Sequence, residues 1–145
     1  MTRISFHFNV ADRLGYACRL ARKATRQGAR LTATGPQAVL AEFDRLLWSF
    51  EPTEFVPHVR VARAAEVPAR LRDTPVCLVD DLQAALHHDV LLNLGTEPPA
   101  GFERFERLIE IVSTDGDERQ AARARWKHYG ARGYEIERHD LEGES

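Results

Sequence analysis

Apolar and polar residues alternate over Ile4-Ser5-Phe6-His7-Phe8, the period of a β-strand. From Asp12, a residue suited to cap a helix, a helical stretch runs to about Gln27. Gly28 follows at the position where a helix ends in left-handed backbone. Residues 29–33 fit a short second strand. Gly35-Pro36 opens a second helix, with Pro at the first-turn position where its missing N–H is not needed. Val39, Phe43, Leu46 and Phe50 recur at helical spacing as its core-facing stripe, flanked by Leu40 and Leu47. Residues 59–75 hold no firm period and read as loop containing one short turn. Residues 75–79 and 90–94 are continuous apolar runs, the mark of strands covered on both faces. Between them, residues 81–87 have room for about two helical turns. Residues 108–112 form another strand, 117–131 a helix, and 134–138 a last alternating strand.

Strands alternating with helices predict an α/β fold: a single-domain, three-layer arrangement with a mostly parallel sheet and helices on both faces. It spans residues 1–141, with 142–145 as a frayed tail. At 145 residues, 43% of them apolar and 29% charged, the chain is long enough to bury a real core. No apolar run approaches the roughly 20 residues that cross a bilayer, and Met1-Thr2-Arg3-Ile4 opens no signal peptide. Cys18 and Cys77 stand apart from any Cys/His partner at metal spacing, so a reducing cytoplasm is expected and no metal site.

The net charge of −2 conceals a division. Residues 1–41 carry seven basic side chains and one acid, Asp12, whereas residues 42–145 carry thirteen basic and twenty-one acidic ones. This is not the balance of a dedicated nucleic-acid binder. A nucleotide site is argued against as well. The second strand leads into Thr34-Gly35-Pro36, where Pro removes an N–H donor, and neither GxGxxG nor GxxxxGK[ST] occurs. Asp80-Asp81 and His87-His88-Asp89 read as polar loop residues, because adjacent strand positions point to opposite faces and offer one ligand per side. No Ser, Cys or Thr stands in a nucleophile motif, so no catalytic residue and no cofactor are expected.

Three segments remain. At about 100° per residue, Trp48 falls on the far side of the second helix from its apolar stripe, where something should cover it. Phe55, Val56, Pro57 and His58 follow in the next loop. On the last helix, Arg119, Arg123 and Lys127 line one flank beside Ala122, Trp126 and Tyr129, so Arg123, Trp126 and Lys127 are expected to meet along one edge. Cations beside an aromatic wall suit an acidic peptide that ends in an apolar residue and a carboxylate. The same pattern also describes a core tryptophan with solvated arginines beside it. On the first helix, Arg19, Arg22, Lys23 and Arg26 make a basic face, either solvated or a weak contact for DNA phosphates.

Several blocks occur together in order: Cys18-Arg19-Leu20-Ala21, Arg26-Gln27-Gly28, residues 46–58, Asp89-Val90-Leu91-Leu92-Asn93-Leu94, residues 102–107, and 122–129 followed by Gly133-Tyr134. In this register the chain resembles the chi subunit of bacterial DNA polymerase III, an accessory protein of the clamp loader, from Ile4 to Leu141. The resemblance implies a Rossmann-like sheet and a non-catalytic role in DNA replication. It also implies two partners: the psi subunit, as a 1:1 heterodimer, and the acidic C-terminal tail of single-stranded DNA-binding protein. DNA would be contacted mainly indirectly. The psi-binding positions are Trp48, Phe55, Val56 and Pro57. The tail-binding positions are Val112, Arg123, Trp126 and Lys127, with Trp126 in place of a tyrosine. The competing readings are an enzyme on a Rossmann-like scaffold acting on a nucleotide or phosphate ester, and a weak direct nucleic-acid binder.

Overall fold

The computed structural model describes residues 1–49 and 55–141. Phe50 of the expected helix stripe, residues 51–54 and the expected frayed tail at 142–145 lie outside them. Seven strands alternate with three helices along the chain: β1 (Arg3–Val10), α1 (Arg13–Arg26), β2 (Leu31–Thr34), α2 (Gln37–Ser49), β3 (His58–Arg60), β4 (Val76–Val79), β5 (Val90–Asn93), β6 (Arg107–Ser113), α3 (Gly116–Ala131) and β7 (Ile136–Asp140). They form one sheet in the order β3-β4-β2-β5-β6-β1-β7, and every pairing among the described residues is parallel. Helices α1 and α2 pack together on one face, and α3 covers the other. The expected α/β class and three-layer arrangement are what the chain adopts.

Two cores result, and strand periodicity divides residues between them. In β5, Val90 and Leu92 enter the α1–α2 core while Leu91 enters the α3 core. In β1, Ile4 and Phe6 face α3, and the polar residues that alternate with them, Ser5 and His7, are buried on the opposite face, where His7 meets Tyr16 of α1. An alternating pattern therefore belongs here to a strand whose two faces are both covered, one by α3 and the other by α1. Its register against β6 slips between His7 and Val10, where Asn9 adopts φ 61°. Asparagine tolerates that left-handed conformation. As a result Phe8 packs with the α3 core while Val10 joins the opposite core.

Local signals set the helix ends. Asp12 accepts a hydrogen bond from the Gly15 N–H at the start of α1, Asp115 does the same for Glu118 at α3, and Gly28 follows α1 at φ 76°. Two expectations need correction. The buried stripe of α2 is Leu40, Phe43 and Leu47, with Val39 and Leu46 only partly covered. An apolar arc this wide fixes no single rotation, and packing against α1 and the sheet selects one edge of it. Residues 59–75 contain part of an edge strand, β3, and two 3-10 turns, too short to show a period. Residues 81–87, with room for no more than about two turns, hold one 3-10 turn, Leu82–Ala84, capped by Asp81.

One buried ionic cluster ties α3 to the sheet. Glu110 of β6 is fully buried. It accepts from Arg125 Nε at 3.0 Å, Tyr129 Oη at 2.6 Å and Asn93 Nδ2 at 3.0 Å. Arg125 also donates from Nη1 to the Thr96 carbonyl, 3.0 Å away. Burial pushes the Glu110 carboxyl above its ordinary range, and the Arg125 guanidinium opposes that shift most strongly. Arg125→Ala leaves a buried acid without its cation. The expected loss is about 3–5 kcal/mol in urea unfolding, against near-wild-type stability for Arg123→Ala on the exposed flank.

His7 makes the fold sensitive to acid. Burial, followed by the charges of His139, Arg107 and Lys23, lowers it from 6.5 to about 4. The folded state thus prefers neutral His7, and the contribution of this residue to stability is complete above pH 6.5. It declines as pH falls from 6.5 to about 4, by up to roughly 3 kcal/mol. Melting temperature measured over that window should fall more steeply for the wild type than for His7→Gln; equal slopes would refute the assignment.

Candidate functional site

The concave site that α3 forms with β1, β6 and β7 has a volume of about 420 Å³. Phe6, Phe8, Val112, Ala122 and Trp126 give it an apolar lining, and Arg119, Arg123 and Arg138 give it cations. Trp126 packs on Phe6 with ring centroids 5.0 Å apart. The Arg138 guanidinium carbon lies 5.4 Å from the Phe8 ring centre and 5.9 Å from that of Trp126. No carboxylate among the described residues pairs with any of the three arginines.

Three of the four residues expected here come together: Val112, Arg123 and Trp126. Lys127 does not. It is exposed on α3 and absent from the lining. Ala122, Arg125 and Tyr129 are the residues α3 buries, so at 100° per residue Lys127 points roughly opposite the sheet. Because Arg125 rather than Trp126 is drawn inward, the helix is rotated relative to the expected stripe. Trp126 becomes a half-buried wall, and Arg119 moves to the rim. Phe6, Phe8 and Arg138 also line the site, and neither helix periodicity nor the resemblance points to them. One signal was available: Arg138 follows Tyr134 and Ile136 at strand period two, a cation in line with apolar positions.

A second surface lies where α2 meets β3. Trp48 is 63% exposed and Phe55 56%, with ring centroids 5.0 Å apart. His58 sits against both rings, at 4.9 Å from Trp48 and 5.9 Å from Phe55. Its Nδ1 hydrogen-bonds the Val56 carbonyl at 2.7 Å, and its Nε2 lies 3.1 Å from Asp44 Oδ1 without hydrogen-bond alignment. Pro57 is exposed beside them. Val56 is not available there: it is 5% exposed and belongs to the α1–α2 core. The chain is extended at this point, so Phe55 and Pro57 face outward and Val56 inward.

The cleft at the carboxyl ends of β2, β4 and β5, where a parallel sheet commonly binds ligands, is lined by Thr34, Asp80, Asp81, Asn93 and Glu97 among others. Asp80 accepts from Gln37 and Asp81 caps a turn. Carboxylates at these positions repel phosphate. No group of three or more His, Cys, Asp or Glu suited to a metal ion occurs among the described residues. None of their helices is long and apolar enough to cross a membrane.

A family described as "DNA polymerase III chi subunit, HolC" matches residues 1–137. The DNA polymerase III subunit chi of Pseudomonas aeruginosa is 36% identical over 146 residues, which cover 97% of this chain and 98% of that protein. That of Haemophilus influenzae is 31% identical over 125 residues, covering 83% and 81%. With a match over nearly its whole length, the chain belongs to the DNA polymerase III chi subunit family.

Proposed function

We propose that this protein is a non-catalytic accessory subunit of DNA polymerase III that bridges the psi subunit of the clamp loader to the acidic C-terminal tail of single-stranded DNA-binding protein. The observation that carries this reading is the apolar bowl ringed by arginines that no described carboxylate neutralises. Its chemistry matches a peptide with several carboxylates and an apolar terminal residue. The exposed aromatic patch of Trp48, Phe55 and Pro57 has the character of an anchor for a partner protein. The layout also supports a bridge. The patch adjoins β3 and the bowl adjoins β7, the two edges of the sheet. Six strand spacings put them on the order of 30 Å apart, far enough for two ligands to bind without collision. Fluorescence titration with a tail peptide, a nucleotide and single-stranded DNA in parallel separates this reading from the enzyme and nucleic-acid alternatives; a nucleotide turned over by the pure protein would defeat it.

For the patch, Trp48→Ala should weaken psi capture by at least ~2 kcal/mol while leaving the melting temperature close to wild type, since the ring is mostly exposed. Undiminished capture in calorimetry would remove the patch from the interface. For the bowl, peptide affinity should be modest and fall as salt rises past ~0.15 M, because the cations are exposed. Arg123→Ala should weaken binding by about 1–3 kcal/mol, and Lys127→Ala by clearly less. Salt-insensitive binding, or equal losses from the two variants, would displace the site.

A further inference from the structure

Two of the bowl's arginines, Arg119 and Arg123, project from successive turns of α3, whereas Arg138 comes from β7 on the strand side. Arg138 pairs in register with Phe6 across β1–β7, so both side chains point toward α3. Its guanidinium is placed against Phe8 and Trp126, the rings that form the floor and wall. A planar guanidinium held by ring faces is already ordered, loses little further freedom when a ligand binds, and keeps its N–H edge for that ligand. No described carboxylate uses that edge. Positive charge therefore borders the apolar lining on two sides, from two different elements.

We propose that Arg138 is a ligand-reading residue of this bowl and forms, with Arg123, a two-sided clamp for two different carboxylates of one peptide. The apolar terminal side chain of the ligand lies between them. The clamp rests on the reading of the bowl as an acidic-peptide site. It assigns the second cation to β7 instead of to Lys127, which α3 turns toward solvent. The ligand class that fits is a chain terminus in which two carboxylates flank a buried ring, such as an acidic side chain and the free α-carboxylate. A ligand with one carboxylate fills one side only.

The test is calorimetry on the full chain with a short synthetic peptide of aspartates ending in phenylalanine. A matching set has each carboxylate neutralised in turn, as asparagine or as the C-terminal amide. Arg138→Gln should weaken the parent peptide about tenfold, the scale of one charge-assisted hydrogen bond. Arg138→Lys should recover little of that loss, because an ammonium keeps the charge without the stacked plane. For one carboxylate, neutralisation should weaken wild-type binding about tenfold and scarcely affect Arg138→Gln; a different carboxylate should behave this way with Arg123→Gln. A uniform loss across all peptides in Arg138→Gln, or the same carboxylate coupling to both arginines, overturns the clamp and leaves the peptide site standing. Failure of the wild type to bind any of the peptides overturns both.

Discussion

A carboxylate in the middle of a buried strand is tolerated only when its charge is met at close range, and Glu110 imposes that demand on the α3 side of the molecule. Arg125, Tyr129 and Asn93 all answer it, the first two from one face of α3 and the third from the neighbouring strand. Buried ion pairs are weak sources of net stability but strict about geometry. Here the geometry is the rotation of a helix. With Arg125 turned inward, Trp126 leans on Phe6, Arg119 and Arg123 face the bowl, and Lys127 faces water. The composition of the bowl thus follows from a contact that lies outside its lining.

The sheet supplies the rest of the positioning. Its parallel order places β3 and β7 at opposite edges, and each edge carries one of the two candidate surfaces. The central strands β2, β4 and β5 are buried on both faces and give a rigid spacer between them. The slip at Asn9 matters to one of these surfaces. It lets Phe8 stay in the bowl while the next apolar residue, Val10, leaves for the opposite core.

Much of this was legible in order along the chain. Asp12 and Gly28 mark the ends of the first helix, the runs at 76–79 and 90–93 mark doubly covered strands, and Trp48 stands off its helix stripe. Each is a local rule with a local cause: a cap, a left-handed terminus, a period. β3 escaped notice because three residues at an edge carry no period. The resemblance places Val56 and Lys127 on surfaces their side chains do not face: strand alternation turns Val56 into the core, and the rotation of α3 turns Lys127 to solvent.

The sequence by itself determined the class of the fold, the approximate elements, the exposed tryptophan and the cationic character of the last helix. These depend on neighbours within a few residues, where helix and strand geometry act directly. Only the tertiary structure decided which cations belong to the bowl. That choice depends on Glu110 and Arg125, fifteen positions apart and on different elements, and on the parallel register that lays Arg138 against Phe6. Periodicity describes each element around its own axis. It holds no information on how far packing turns one element against the next.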